Sequence, residues 1–237
     1  LGLASGGDDP VSTNQTLGGG GSTKDIRLDL AYARWNATDE FQLQGGKFSN
    51  PWYSPQRNQL IFDGDFRPEG IAALWDNGPL FLTFSGTWIE SDSNNGDDFA
   101  WGLAGGFRFG PLTAAVGYLD LPTEGREAIY DDDFFGNSSE DGVYKYNYEL
   151  LTAGAEFSLN VVELPLSLFA QYIQNEDVDD LDTGYLAGVR LGQARKRGSW
   201  QVRYEYRDLE ADATFGQWAD SDFAGGGTDG KGHALSG

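Results

Sequence analysis

Ser199-Trp200-Gln201-Val202-Arg203-Tyr204-Glu205-Tyr206-Arg207-Asp208 is the stretch whose reading decides the fold. Trp200, Val202, Tyr204 and Tyr206 share one parity, and Gln201, Arg203, Glu205 and Arg207 share the other. Successive side chains of an extended chain point to opposite faces, so this run predicts a strand with one apolar face and one fully polar face.

The same period recurs along the chain. From Asp25, Ile26, Leu28, Leu30 and Tyr32 alternate with Arg27, Asp29, Ala31 and Ala33. Between Phe99 and Phe109, the apolar set Phe99, Trp101, Leu103, Phe107 and Phe109 alternates with Ala100, Gly102, Ala104, Gly106 and Arg108. Noisier runs cover residues 41–48, 70–75, 80–89, 112–119, 144–159, 166–174 and 183–192, giving ten predicted strands in all. Their separators sort by length. Residues 36–40, 76–79, 110–111, 160–165 and 193–198 are short; residues 49–69, 90–98, 120–143, 175–182 and 209 to the end are longer. Short turns on one rim and long loops on the other are the arrangement of a bacterial outer-membrane barrel.

Composition agrees. Gly 34, Phe 15, Tyr 11 and Trp 7 form a strand and turn vocabulary. No window is apolar over the roughly 18 residues that a membrane helix needs, whereas a barrel strand needs only about ten residues of alternating character. A formal net charge of −21 argues against nucleic-acid binding, which calls for an excess of clustered Lys and Arg. With no Cys there is neither a disulfide scaffold nor a Cys-based zinc site. Leu1 opens a loop-like stretch with no signal peptide, so a single domain over residues 1–237, processed or partial at both ends, is expected.

A soluble or surface-anchored β-sandwich, serving as a binding or adhesion protein, would alternate in the same way. The aromatic residues favour a bilayer, where amphipathic rings gather at both interfaces. Trp35, Phe41, Trp75, Phe81, Phe109, Phe157 and Trp200 lie beside the short turns. Trp88, Phe99, Tyr118, Tyr146, Tyr172, Tyr185 and Tyr206 lie near the loop ends.

Three segments carry a further likeness: residues 1–18 (LGLASGGDDPVSTNQTLG), Lys47-Phe48-Ser49-Asn50-Pro51, and Leu60-Ile61-Phe62-Asp63-Gly64-Asp65 followed by Pro68-Glu69-Gly70. They resemble the putative porin family of Gram-negative bacteria. The resemblance implies an antiparallel outer-membrane β-barrel with a passive diffusion role and no catalytic residues. It also implies a longer chain, with strands before and after this segment. Ten strands are then part of a larger barrel, because an open sheet would leave unpaired edges in lipid.

Arg27, Asp29, Arg108, Arg190, Arg203, Glu205 and Arg207 are the predicted pore-lining residues. Such side chains either create a field that sets ion preference or pair across strands and keep the inner wall wet. The first long loop offers Arg57, Asp63, Asp65, Arg67 and Glu69 among Trp52, Tyr53 and Phe62 as constriction candidates, with two outcomes open: the loop tucks inward, or it packs outside against the rim. Acidic residues Asp97, Asp98, Asp131, Asp132, Asp133, Glu140, Asp141, residues 176–180, Asp220 and Asp222 lack the spacing of a calcium loop and read as solvated charge. Residues 18–22 read as a flexible linker, and Arg195-Lys196-Arg197 as a solvated turn. His233 stands alone in a Gly-rich tail, with no nucleophile motif around Ser221 or Ser236.

The expectation is therefore a passive porin for small hydrophilic solutes or ions in the outer membrane of a Gram-negative cell. It is not an enzyme, and it has no catalytic residues, cofactor or metal. Its expected partners are membrane lipid, lipopolysaccharide and the solutes, with no nucleic acid, and it is compatible with a homo-oligomer.

Overall fold

The computed structural model describes residues 1–5, 9–12, 26–90 and 98–237. Asp25, Asp97, the reading of residues 18–22 as a linker and nearly all of loop 90–98 lie outside the described residues.

Among these residues fourteen strands follow in order: β1 (Gly2–Ala4), β2 (Arg27–Asn36), β3 (Phe41–Lys47), β4 (Glu69–Asp76), β5 (Leu80–Glu90), β6 (Asp98–Phe109), β7 (Leu112–Leu121), β8 (Ser139–Glu140), β9 (Val143–Tyr144), β10 (Tyr148–Val161), β11 (Leu164–Asn175), β12 (Thr183–Gly192), β13 (Gln201–Leu209) and β14 (Gly230–Ser236). Twelve of them form one antiparallel sheet in the order β1-β2-β3-β4-β5-β6-β7-β10-β11-β12-β13-β14, and β8 pairs only with β9. All ten predicted strands are present. The closed barrel is not: β1 and β14 end an open sheet. Two more strands than expected join its edges: the opening stretch, read as a loop, holds β1, and residues 209 to the end hold β14 as well as a loop. The run predicted over 144–159 also needs correction, since Tyr144 belongs to the small β8–β9 hairpin and the long strand starts at Tyr148. No second sheet of comparable size packs on the first among the described residues, which removes the sandwich reading.

The alternation decides which face is which. On β6, Phe99, Trp101, Leu103, Phe107 and Phe109 are exposed, whereas Ala100 and Ala104 are buried. On β13, Val202 and Tyr204 are exposed while Glu205 and Arg207 are buried. The large apolar side chains thus stand on the exposed face and the polar ones on the covered face, the reverse of a soluble sheet.

Two assignments change. The pairing of β1 with β2 joins Leu3 to Leu28 and Gly2 to Leu30, skipping Asp29. A one-residue slip reverses the faces beyond it. Tyr32 then stands opposite Gly46 and Arg34 opposite Gln44. Gln44 is buried and pairs with buried Ala72, so Tyr32 and Arg34 face inward and Ala31, Ala33 and Trp35 outward. Phe81 leaves the predicted girdle as well: it is buried on the inner face, 5.5 Å from the Tyr53 ring.

The short turns are built by ordinary hairpin chemistry at Asn77-Gly78, where Gly78 has φ 90 and Leu80 N donates to Asn77 Oδ1 at 2.9 Å. The β10–β11 turn is not. Val161 pairs directly with Leu164, which forces Val162 (φ 48) and Glu163 (φ 68) into the left-handed region. A β-branched residue there costs on the order of 1–2 kcal/mol. Replacing the pair by Val162→Asn with Glu163→Gly is expected to stabilise the protein by about 1 kcal/mol in a reversible urea titration. An unchanged midpoint would show that the turn carries no strain.

Candidate functional site

Residues 48–68 settle the open choice: the first long loop folds inward across the covered face. The recess that receives it is made by glycines. A Cβ on Gly117 would lie 2.6 Å from the Trp52 ring, one on Gly102 would lie 2.9 Å from it, and one on Gly154 would lie 2.8 Å from the Pro55 ring. Any larger residue at these inward positions on β6, β7 and β10 would push the loop off the wall.

The tip is a short 3-10 turn, Pro55–Arg57, with Gln56 at φ 52 and Arg57 at φ 53. Two adjacent left-handed non-glycine residues are costly, and they persist because the surroundings fix them. Buried Asn58 closes the turn, donating from Nδ2 to Pro55 O at 3.0 Å and accepting from Leu60 N at 3.1 Å. The wall grips the tip on two sides. Glu156 Oε2 accepts from Gln56 N at 2.7 Å and from Gln56 Nε2 at 3.0 Å, and Arg203 Nη1 donates to Gln56 O at 2.9 Å. Tyr53 donates its hydroxyl to Thr113 O at 3.4 Å, and burial beside Glu156 pushes that hydroxyl's pKa up. One loop therefore touches β5, β7, β10 and β13, so the sheet curls around it.

At the long-loop rim an aromatic column joins the inward loops. Phe62 stacks on Phe66 at 5.6 Å, Phe66 on Trp218 at 4.7 Å, and Trp218 meets Phe215 at 5.2 Å. Phe215 continues to Tyr144 at 5.3 Å and to Tyr148 at 5.8 Å. Trp218 and Phe215 come from residues 210–229, every residue of which from 211 to 220 is buried. Asp63 latches the two loops: its N donates to Trp218 O at 2.7 Å, and its Oδ2 accepts from Ser221 N at 3.0 Å and Ser221 Oγ at 3.1 Å. Burial raises the Asp63 pKa, with nearby Asp220 adding to it, while the hydrogen bonds from Asp65 and Ser221 pull the other way.

The predicted inner-wall residues fall into groups. Arg203 and Arg207 are paired, through Glu205 at 2.5 and 3.2 Å, and Arg207 reaches Asp220 at 2.9 Å. Arg203 also lies over the Phe169 ring at 4.6 Å. Arg108 pairs with Asp76 at 2.9 Å near the short-turn rim, over the Phe81 ring at 4.4 Å. Asp29, at the β2 slip, meets Arg67 at 3.4 Å, and Arg67 reaches Asp65 at 3.9 Å. Arg27 is exposed at the start of β2. Glu69 is misplaced as a constriction residue: it begins β4 on the outward parity and pairs with Lys47 at 2.8 Å. Asp220 is not solvated charge but a buried partner of Arg207, and Asp98 pairs with Arg126. His233 lies on β14 rather than in a tail, its Nδ1 2.8 Å from the Tyr204 hydroxyl on the outward face.

Arg57 and Arg190 are different: neither has an ion pair among the described residues. Three cavities meet at the loop tip, each lined in part by Arg57. One of ≈ 620 Å³ lies against β4, β5 and Arg108; one of ≈ 210 Å³ lies against Arg203, Glu205 and Arg207; one of ≈ 350 Å³ is lined by Tyr53, Ser54, Gln56, Glu156, Arg190 and Arg195. Glu156 and Gln56 escape a reading based on charge alternation. The usable signal is the set of inward glycines, which marks where another segment must approach.

Two outcomes are expected. Gly117→Val should displace Trp52 and free the tip, so that trypsin cuts after Arg57 faster than in the wild type; equal rates would mean that Trp52 does not hold the loop. For Asp63, the raised pKa means that the protonated side chain favours the folded latch. Its contribution is complete below the ordinary carboxylate range and is lost as pH rises through the raised folded value. Urea midpoints of wild type relative to Asp63→Asn should therefore fall through that window, and a pH-independent difference would remove the linkage.

The family described as "Putative porin" matches residues 1–79 and 85–237. No curated protein matches the chain. A match over nearly the whole length of a chain that folds as an antiparallel sheet with an apolar exposed face and a polar covered one leads to one conclusion: the protein belongs to the putative porin family.

Proposed function

We propose that the chain forms the wall of an outer-membrane channel through which small hydrophilic solutes diffuse passively, in the space between the inward loop and the strands. The observation that carries this reading is the inverted distribution of polarity. Leu103 is 49% exposed and Val116 66% exposed at mid-strand, whereas charged Arg207 is 2% exposed on the covered side. Water would not reward such an outer face, but a bilayer does. In lipid the edges at β1 and β14 must also be paired, by one another, by further strands or by a second copy, since unpaired backbone groups there cost several kcal/mol each. Lipid and lipopolysaccharide are the partners of the outer face in this reading.

A conduit rather than a catalyst fits the side chains. His233 faces outward against Tyr204, away from the cavities. The loop narrows the passage without filling it, because cavities remain on both sides of its tip.

The test is conductance of the purified protein in a planar bilayer, read together with folding into lipid vesicles. Leu103→Arg and Val116→Arg, at mid-strand, should each destabilise by roughly 2–4 kcal/mol. Val202→Arg, beside the start of β13, should cost only about 0–1 kcal/mol. No conductance, or equal losses at all three positions, would overturn the reading.

A further inference from the structure

The three cavities around the loop tip differ in charge balance. In the ≈ 210 Å³ cavity, Arg203 and Arg207 face Glu205 and Asp220, and the four groups form a continuous chain of ion pairs. In the ≈ 620 Å³ cavity, Arg108 is held by Asp76 and Arg67 by Asp29 and Asp65. The ≈ 350 Å³ cavity is different. Arg57, Arg190 and Arg195 line it, and Glu156 is the one acidic residue among its described lining. Its Oε2 accepts twice from neutral Gln56, and its single negative charge offsets only one of the three guanidinium charges.

Guanidinium groups in excess of carboxylates beside a low-dielectric wall favour an anion, and their planar forks match the paired oxygens of a carboxylate or phosphate better than a spherical ion. Ser54 adds a hydroxyl to the lining. The left-handed backbone at Gln56 and Arg57, fixed by the contacts of Gln56 with Glu156 and Arg203, places Arg57 where three cavities meet. We infer that Arg57, Arg190 and Arg195 form a binding subsite for small oxyanions, carboxylate or phosphate, on the β10–β12 side of the loop tip. The inference deepens the channel reading and rests on it for its place in transport, although binding itself does not require conduction.

The test has two readouts on the same purified protein. In a planar bilayer at low KCl, succinate and inorganic phosphate are titrated separately against the chloride current; in detergent, their binding is followed by calorimetry. The subsite predicts saturable block and saturable heat with at least one of the two anions. Both should weaken roughly tenfold or more in Arg57→Gln and in Arg190→Gln, the loss expected for one charge-assisted contact. Arg197→Gln, in the same turn but outside the cavity, should leave both unchanged. Persistence of chloride current in the variants reports that they fold. If the wild type conducts but neither anion blocks or binds, or if Arg197→Gln weakens binding as much as Arg57→Gln, the subsite is wrong and the channel reading stands. If the wild type does not conduct while binding is saturable and lost in Arg57→Gln, the channel reading fails and the subsite stands.

Discussion

The contact between Trp52 and the bare backbone at Gly102 and Gly117 organises the interior of this protein. A sheet whose outer face carries exposed apolar side chains has only its other side on which to build a core, and twelve strands cannot fill that side with their own side chains. The first long loop fills it instead. Glycines replace side chains where the loop lies, the Trp52 ring occupies their space, and Pro55 repeats the fit at Gly154 deeper along β10. Once those rings are seated, the tip reaches Glu156 and Arg203, and the tip's hydrogen bonds follow from its position.

The apolar core therefore lies inside the curl, near the long-loop rim. Loops supply most of its aromatic bulk: Trp52, Phe66, Phe215 and Trp218, with Leu60 and Ile61, are buried against inward strand residues such as Leu119, Tyr148, Leu150, Ile173 and Leu186. Loops normally lie on the surface because their backbone groups need partners. Here the partners come from buried polar side chains. Asn137 donates to Ala211 O at 2.7 Å and Thr214 O at 2.8 Å, and accepts from Gly216 N at 2.8 Å. Asp212 accepts from Ser138 N at 2.9 Å and Ser138 Oγ at 2.6 Å. The acidic residues of the long loops are thus partly structural, holding the mouth in one shape.

Charge is distributed by the same logic. Arginines on strand β13 are neutralised by neighbours on their own strand and on the following loop, which keeps a buried wall polar at little electrostatic cost. Positive charge is left uncompensated where the loop tip approaches β12. The electrostatic character of the space inside the curl thus depends on loop position as much as on wall composition.

The all-β class, the ten long strands, their antiparallel order and the outward or inward parity of nearly all of them were legible in the sequence, because a period of two is a local property that each strand displays alone. Parity failed at Tyr32, since the slip at Asp29 arises from pairing with β1 and leaves no mark within the strand itself. It failed at Phe81 because an apolar residue can serve the loop as well as the lipid. The direction of residues 48–68, the pairing of Arg203 and Arg207 with Glu205 and Asp220, and the lack of an ion pair at Arg57 and Arg190 among the described residues were decided only by tertiary structure. These depend on which distant segments meet, and sequence spacing does not encode a contact between Gln56 and Glu156, or between Asp63 and Ser221, until the sheet has curled and brought them together.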